Sequence, residues 1–218
     1  MSFNIRNRIS LYKNNLDNNL LFKKMIYNEL YKITSDKIKM FEIGTAYGDS
    51  STIAIWKQLK KNQKDFFLFC FEPIEEIFEI AQRNIKFLTN TYLLKKYFLS
   101  TEAVNYFLMK ANKYIHDTDN LERIKNMYEG VNPNDLITID NLEIPNIVFI
   151  DSIRYSHFAI VKTLNGFNQN IRVIMEDDIP SFGELKIIQE QFSIKNIKYY
   201  RCFPHQWPFV AFNLISKG

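Results

Sequence analysis

The sequence predicts a doubly wound α/β fold: a mostly parallel sheet with helices on both sides and an antiparallel ending. Three observations carry that expectation. An apolar strand over 38–43 runs into a turn with glycines at Gly44 and Gly48 and then into a helix. A second apolar run over 66–71 ends in Glu72-Pro73, where another helix begins. Near the end of the chain, 197–203 and 209–215 flank Pro204-His205-Gln206-Trp207-Pro208 and read as an antiparallel pair.

Taken in order, Leu16, Leu20, Tyr27 and Leu30 fall on one side of a helical wheel, which predicts one or two amphipathic helices over 1–36. Ser50 or Ser51 can cap the helix that carries Ile53 and Trp56. Pro73 at a first helical turn, followed by Glu75 and Glu76, opens a helix whose Ile77, Ile80, Ala81, Ile85 and Leu88 face the sheet. A short third strand is expected over 96–99, a fourth over 147–150 ending in Asp151, and a fifth over 171–175 ending in Glu176-Asp177-Asp178. With the final pair, that makes seven strands. The polar stretch 111–128 reads as a partly helical insertion, placed where a lid would cover an acceptor.

The glycine spacing narrows the ligand. A dinucleotide site wants a second glycine two residues after the first, against the pyrophosphate, and here that residue is Ala46. The G-x-x-x-G arrangement therefore fits a nicotinamide dinucleotide poorly. Glu72 lies 28 positions after Gly44, at the end of the next strand. An acid there can accept both hydroxyl protons of a ribose, or simply serve as a solvated helix cap.

The run FEIGTAYGDSS resembles the first motif, E/D-x-G-x-x-x-G, of class I methyltransferases that use S-adenosylmethionine. Within that superfamily, FEPIEEIFEIAQRNI and the block over 134–167 are similar to the FkbM-type branch. The resemblance spans 38–179 and implies a Rossmann-like methyltransferase sheet of seven strands with an antiparallel last strand. It departs from the branch pattern beside Asp151, where Phe149 and Ile153 stand in place of the usual Lys and Glu. The cofactor implied is S-adenosyl-L-methionine. Its contacts would come from Glu42, Gly44, Thr45, Ala46, Tyr47, Gly48, Ser51, Glu72, Pro73, Ser100 and Asp151, with Ser100 near the adenine.

Methyl transfer from a sulfonium is an in-line displacement, so the protein must place a nucleophilic atom close to the methyl and remove a proton where needed. Asp151, at the end of the strand beside the first, is the expected base or orienter of the acceptor; it can also cap the following helix. His157, six positions on, faces either the pocket or a helix surface. Asp177 is the third catalytic candidate. Asp151, Asp177 and Asp178 resemble the acid set that holds magnesium in catechol-type methyltransferases, so a divalent metal is an alternative; without it, crowding would raise their pKa values. Tyr155, His205 and His116 are lesser polar candidates.

The 218 residues, 46% apolar and 19 of them Phe, suffice for one methyltransferase domain over 1–218 with a large core. No apolar run reaches the 18 to 20 residues or so that span a bilayer, no signal core opens the sequence, and Cys70 and Cys202 have no framework spacing. A cytoplasmic protein is expected, with no membrane partner. Net charge is +4, and Lys57, Lys60, Lys61 and Lys64 read as a solvated face rather than a nucleic-acid stripe. The resemblance implies O-methylation of a small molecule, a sugar, a glycan or a natural-product precursor. The alternative is a non-catalytic cofactor-binding or scaffold protein of the same fold.

Overall fold

A computed structural model of the chain describes residues 19–114, 122, 125–126, 128–139, 142–152, 156–176, 184–202 and 207–216. Seven strands form one sheet in the order β3-β2-β1-β4-β5-β7-β6. β1 (Lys37–Ile43), β2 (Asp65–Phe71), β3 (Thr91–Leu94), β4 (Ile147–Ile150) and β5 (Ile171–Glu176) run parallel, and β7 (Trp207–Leu214) enters antiparallel between β5 and β6 (Ile194–Cys202). The order of the strands reverses at β1, between β2 and β4. In a doubly wound sheet, that reversal opens a crevice beyond the carboxyl ends of the strands.

The central strands are apolar on both faces because each face meets a layer of helices. Successive residues point to opposite layers: Met40, Phe149, Ile174 and Ala211 join a core with α1 (Leu20–Tyr31) and α2 (Ser51–Asn62). Their neighbours Phe41, Ile150, Val173 and Phe212 join the other core. That second layer is built by α4 (Thr101–Tyr114), α5 (Ser156–Asn165) and α6 (Glu184–Gln191). α3 (Glu75–Ile85) follows β2 and packs Ala81 and Ile85 beneath the glycine turn.

Four local expectations are corrected. The third strand lies at Thr91–Leu94, in register with Leu68–Phe71, while Tyr97 makes only an isolated parallel bridge to Leu136. The apolar residues 97–99 serve instead as cavity wall. On α1 the buried face is Phe22, Met25, Ile26, Glu29 and Leu30, whereas Leu20 is 62% exposed. Glu29 disguised that face in the sequence; it is buried because the Arg172 Nε donates to it at 2.6 Å. Ser50 occupies the N-cap of α2 without a side-chain capping bond, and Ser51 donates to Glu42. α3 begins at Glu75 with Ile74 at its cap, so Pro73 stands just outside.

Leu16 and much of the expected lid over 111–128 lie outside the described residues, as do Ile153, Tyr155, His116, His205, Asp177 and Asp178. Among the described residues, no helix is long and apolar enough to cross a membrane.

Candidate functional site

The glycine turn is pinned from below. Gly44 and Thr45 both donate their amides to the Phe71 carbonyl at 3.2 Å, and Asp151 donates its amide to Ile43 at 2.9 Å, locking the ends of β1, β2 and β4 together. Gly44 adopts φ +90°, and a Cβ there would lie 1.9 Å from the Asp151 carbonyl oxygen. Its missing side chain thus admits another strand's backbone. Gly48, at φ +67°, does the same for α3, where a Cβ would meet Ile85 at 2.6 Å. Ala46 holds φ +49°, a left-handed conformation that costs a residue with a Cβ.

Glu42 is fully buried under this turn, with Ser51 and Thr52 each donating a hydroxyl to it at 2.7 Å and the Cys70 thiol at 3.4 Å. Burial pushes its carboxyl up to about 7 despite those three donors, with the nearby Asp151 charge adding to the rise.

A cavity of about 390 Å³ opens at the strand reversal. Gly44, Ala46, Glu72, Pro73, Ile74 and Asp151 line it, and Phe71, Phe98, Leu99, Tyr128 and Ile160 supply apolar walls. Glu72 is 5% exposed, and its two oxygens accept the Ala46 and Ile74 amides at 3.0 Å each. Those bonds fix the carboxylate, and each oxygen keeps a lone pair for a hydroxyl. Burial raises the Glu72 pKa while the two amides draw it back. The walls and the fixed acid suit an adenosyl group: flat apolar faces for a purine and a paired acceptor for a cis-diol.

Asp151 is partly buried at the end of β4 and faces the cavity. Burial pushes its carboxyl up to about 6, while the charge of His157 and a hydrogen bond with the Glu176 side chain act against the rise. Glu176 is the last residue of β5, the next strand.

Of the predicted residues, Gly44, Ala46, Glu72, Pro73 and Asp151 line the cavity. Glu42, Thr45 and Ser51 lie buried behind it. Tyr47 accepts the Asn84 side-chain amide at 2.8 Å, and Gly48 donates to Thr45 at 3.0 Å. Ser100 caps α4 by accepting the Ala103 amide at 3.1 Å. His157 is buried in the first turn of α5 and acts on Asp151 through its charge. Phe98 and Leu99, expected in a strand, line the cavity instead, and Ile74, Tyr128 and Ile160 line it beyond the expected residues. Phe149, where the FkbM pattern carries Lys, points to the opposite layer and meets the Phe22 ring edge-on at 5.6 Å. Among the described residues, no group of three or more His, Cys, Asp and Glu could hold a metal ion.

No protein-family model matches this sequence, and no curated protein matches it either. Solved structures do share its architecture. A methyltransferase from Pyrococcus furiosus aligns over 99% of this chain and 100% of its own, with TM-score 0.52 and 16% identity. The precorrin-6y C5,15-methyltransferase of Geobacter metallireducens aligns over 89% and 88%, with TM-score 0.52 and 12% identity. This is the fold of class I S-adenosylmethionine-dependent methyltransferases. The same methyltransferase fold recurs in Aeropyrum pernix fibrillarin, solved with natively bound S-adenosyl-L-methionine, at TM-score 0.50 and 11% identity over 88% of this chain and 74% of that one.

Proposed function

We propose that the protein is an S-adenosylmethionine-dependent O-methyltransferase that acts on a hydroxyl of a small molecule, a sugar, a glycan or a natural-product precursor. One observation carries the cofactor half: Glu72, fixed by the Ala46 and Ile74 amides, stands in a largely apolar cavity at the strand reversal that Asp151 also lines. Glu72 would take the ribose hydroxyls, Phe98, Leu99 and Ile74 would flank the adenine, and the turn at Gly44 would face the methionine part. The cofactor would supply a sulfonium methyl as electrophile.

Asp151 supports the catalytic half. Its carboxylate can accept the proton of an acceptor hydroxyl, and a base held near pH 6 is charged at neutral pH yet still a competent acceptor. Glu176 and His157 tune and orient that carboxylate from behind. The acceptor class rests on the FkbM-type resemblance, and the likeness of fold brings no acceptor with it. A magnesium-type ion on Asp151, Asp177 and Asp178 is the subordinate proposal.

The test is a screen of hydroxyl-bearing acceptors with methyl-labelled cofactor, run with wild type and Asp151→Asn and repeated in chelator. Asp151→Asn is expected to bind S-adenosylhomocysteine as wild type does while transfer slows about 100-fold or more, the usual scale for a lost general base. Unchanged transfer would remove Asp151 as base. Cofactor binding with no transfer to any acceptor class would favour the non-catalytic reading, and loss of transfer in chelator, restored by metal, would favour the metal.

A further inference from the structure

At the opposite end of the parallel strands, where they begin, lies a second cavity of about 330 Å³ whose walls differ in kind from the first. Asn146, Asn170, Asn213, Arg172 and Lys32 line it. Each asparagine has its side-chain carbonyl already engaged. Asn146 Oδ1 accepts the Lys39 amide at 2.7 Å, Asn170 Oδ1 accepts the Ser216 amide at 3.1 Å, and Asn213 Oδ1 accepts the Arg172 Nη1 at 3.0 Å. Because all three partners are donors, the orientation of each amide is set by chemistry rather than by choice. That leaves each Nδ2 group as a donor on the cavity wall, on half-buried side chains at Asn146 and Asn213 and on an exposed one at Asn170.

The charge agrees with the donors. Arg172 is 6% exposed, and its Nη2 makes no hydrogen bond. The Glu29 carboxylate accepts from Arg172 Nε and Lys32 Nζ, each at 2.6 Å, so two cations face one acid. Lys198 lines an adjoining cavity that shares Arg172, Lys32 and Asn213. Glu29 is fully buried on α1, and its charge is spent on those cations and on the Tyr200 hydroxyl.

We propose that this donor-lined cavity binds a small oxyanion, a phosphate or carboxylate group, through the side-chain amides of Asn146, Asn170 and Asn213. The neighbouring cations make the site attractive to negative charge without providing the geometry. β1 spans seven residues between the two cavities, about 20 Å at the strand rise, so this site is separate from the proposed cofactor pocket.

Inorganic phosphate and citrate, titrated at constant ionic strength against chloride, test the site by nuclear magnetic resonance of the asparagine side-chain amides and by calorimetry. Saturable shifts of the Asn146, Asn170 and Asn213 amide signals are expected with at least one of the two probes. Phosphate alone assigns a phosphate-bearing ligand, citrate alone a carboxylate, and both an oxyanion of either kind. Asn146→Asp and Asn170→Asp keep the carbonyl acceptor and replace the donor with a negative oxygen. Each is expected to weaken the anion about tenfold or more while S-adenosylhomocysteine affinity stays at its wild-type value. Shifts that chloride reproduces, no saturation with either probe, or variants that bind as wild type would overturn the proposal. None of those outcomes bears on the methyl-donor reading, whose own failure would be loss of S-adenosylhomocysteine binding in wild type.

Discussion

At Gly44 and Glu42 single atoms decide whether the turn exists. Gly44→Ala sets a Cβ against the Asp151 carbonyl, a backbone atom that cannot swing aside, at a φ of +90° that an alanine also resists. Backbone strain of roughly 1–3 kcal/mol and overpacking of similar size add to about 3 kcal/mol or more of lost stability. Urea unfolding checks this, with Gly48→Ala, whose obstacle is a side-chain methyl of Ile85, expected to lose less. Glu42 makes a prediction about pH. Its carboxyl rises from an ordinary 4.5 to about 7 in the folded state, so the native protein holds that proton more tightly than the unfolded chain. The resulting stability is fully present below pH 4.5 and is lost as pH climbs through 7, a change of about 3 kcal/mol. Glu42→Gln removes the titration. Its melting temperature is expected to fall less than that of wild type between about pH 5 and pH 8, and parallel curves for the two proteins would refute the assignment.

At the scale of elements, α1 is held to the sheet by one buried ion pair as well as by its apolar face. Burial pushes the Glu29 carboxyl up, but Arg172, Lys32 and Tyr200 together hold it below the ordinary carboxylate value. Glu29→Ala leaves the buried Arg172 guanidinium without its carboxylate, which costs about 3–5 kcal/mol, whereas replacing both partners with methionine is expected to recover most of that loss. Urea unfolding of the single and double variants, with hydrogen exchange of the α1 amides, measures both effects. This pair also explains where the sequence could and could not be read. The β2 and β4 strands were legible because each is an apolar run between polar ends, β1 and β5 because apolar residues outnumber the few charges within them, and the terminal hairpin because Pro and polar residues separate two strand-like segments. The buried face of α1 was hidden by a charge that only a residue 143 positions away makes tolerable. Residues 97–99 misled for the converse reason: they are apolar because they line a cavity rather than because they pair. At the site, acids at strand ends pointed to Glu72 and Asp151, but nothing local singled out Glu176. Only the β4–β5 register sets Glu176 beside Asp151.

On the scale of the whole molecule, the strand reversal and the pinned turn make the cavity beside Glu72 and Asp151 a property of the native state alone. Its parts come from the ends of β1, β2 and β4, from residues 96–99, from Tyr128 and from α5, and no short segment carries them together. A ligand that fits must therefore bind the folded chain and ignore the unfolded one, which turns affinity into stability. S-adenosylhomocysteine at about 100 times its dissociation constant is expected to add about 2.7 kcal/mol, or roughly 5–10 °C in melting temperature for a chain of this length. NAD is a stringent control because it shares the adenosine. Its pyrophosphate needs a turn that presents free amides at a helix N-terminus, yet here Ala46 gives its amide to Glu72, and Gly44 and Thr45 give theirs to Phe71. A melting shift with S-adenosylhomocysteine and none with NAD is the expected pair of results. An equal shift with NAD would mean that the cavity reads only adenosine, and the methyl-donor assignment would lose its structural basis.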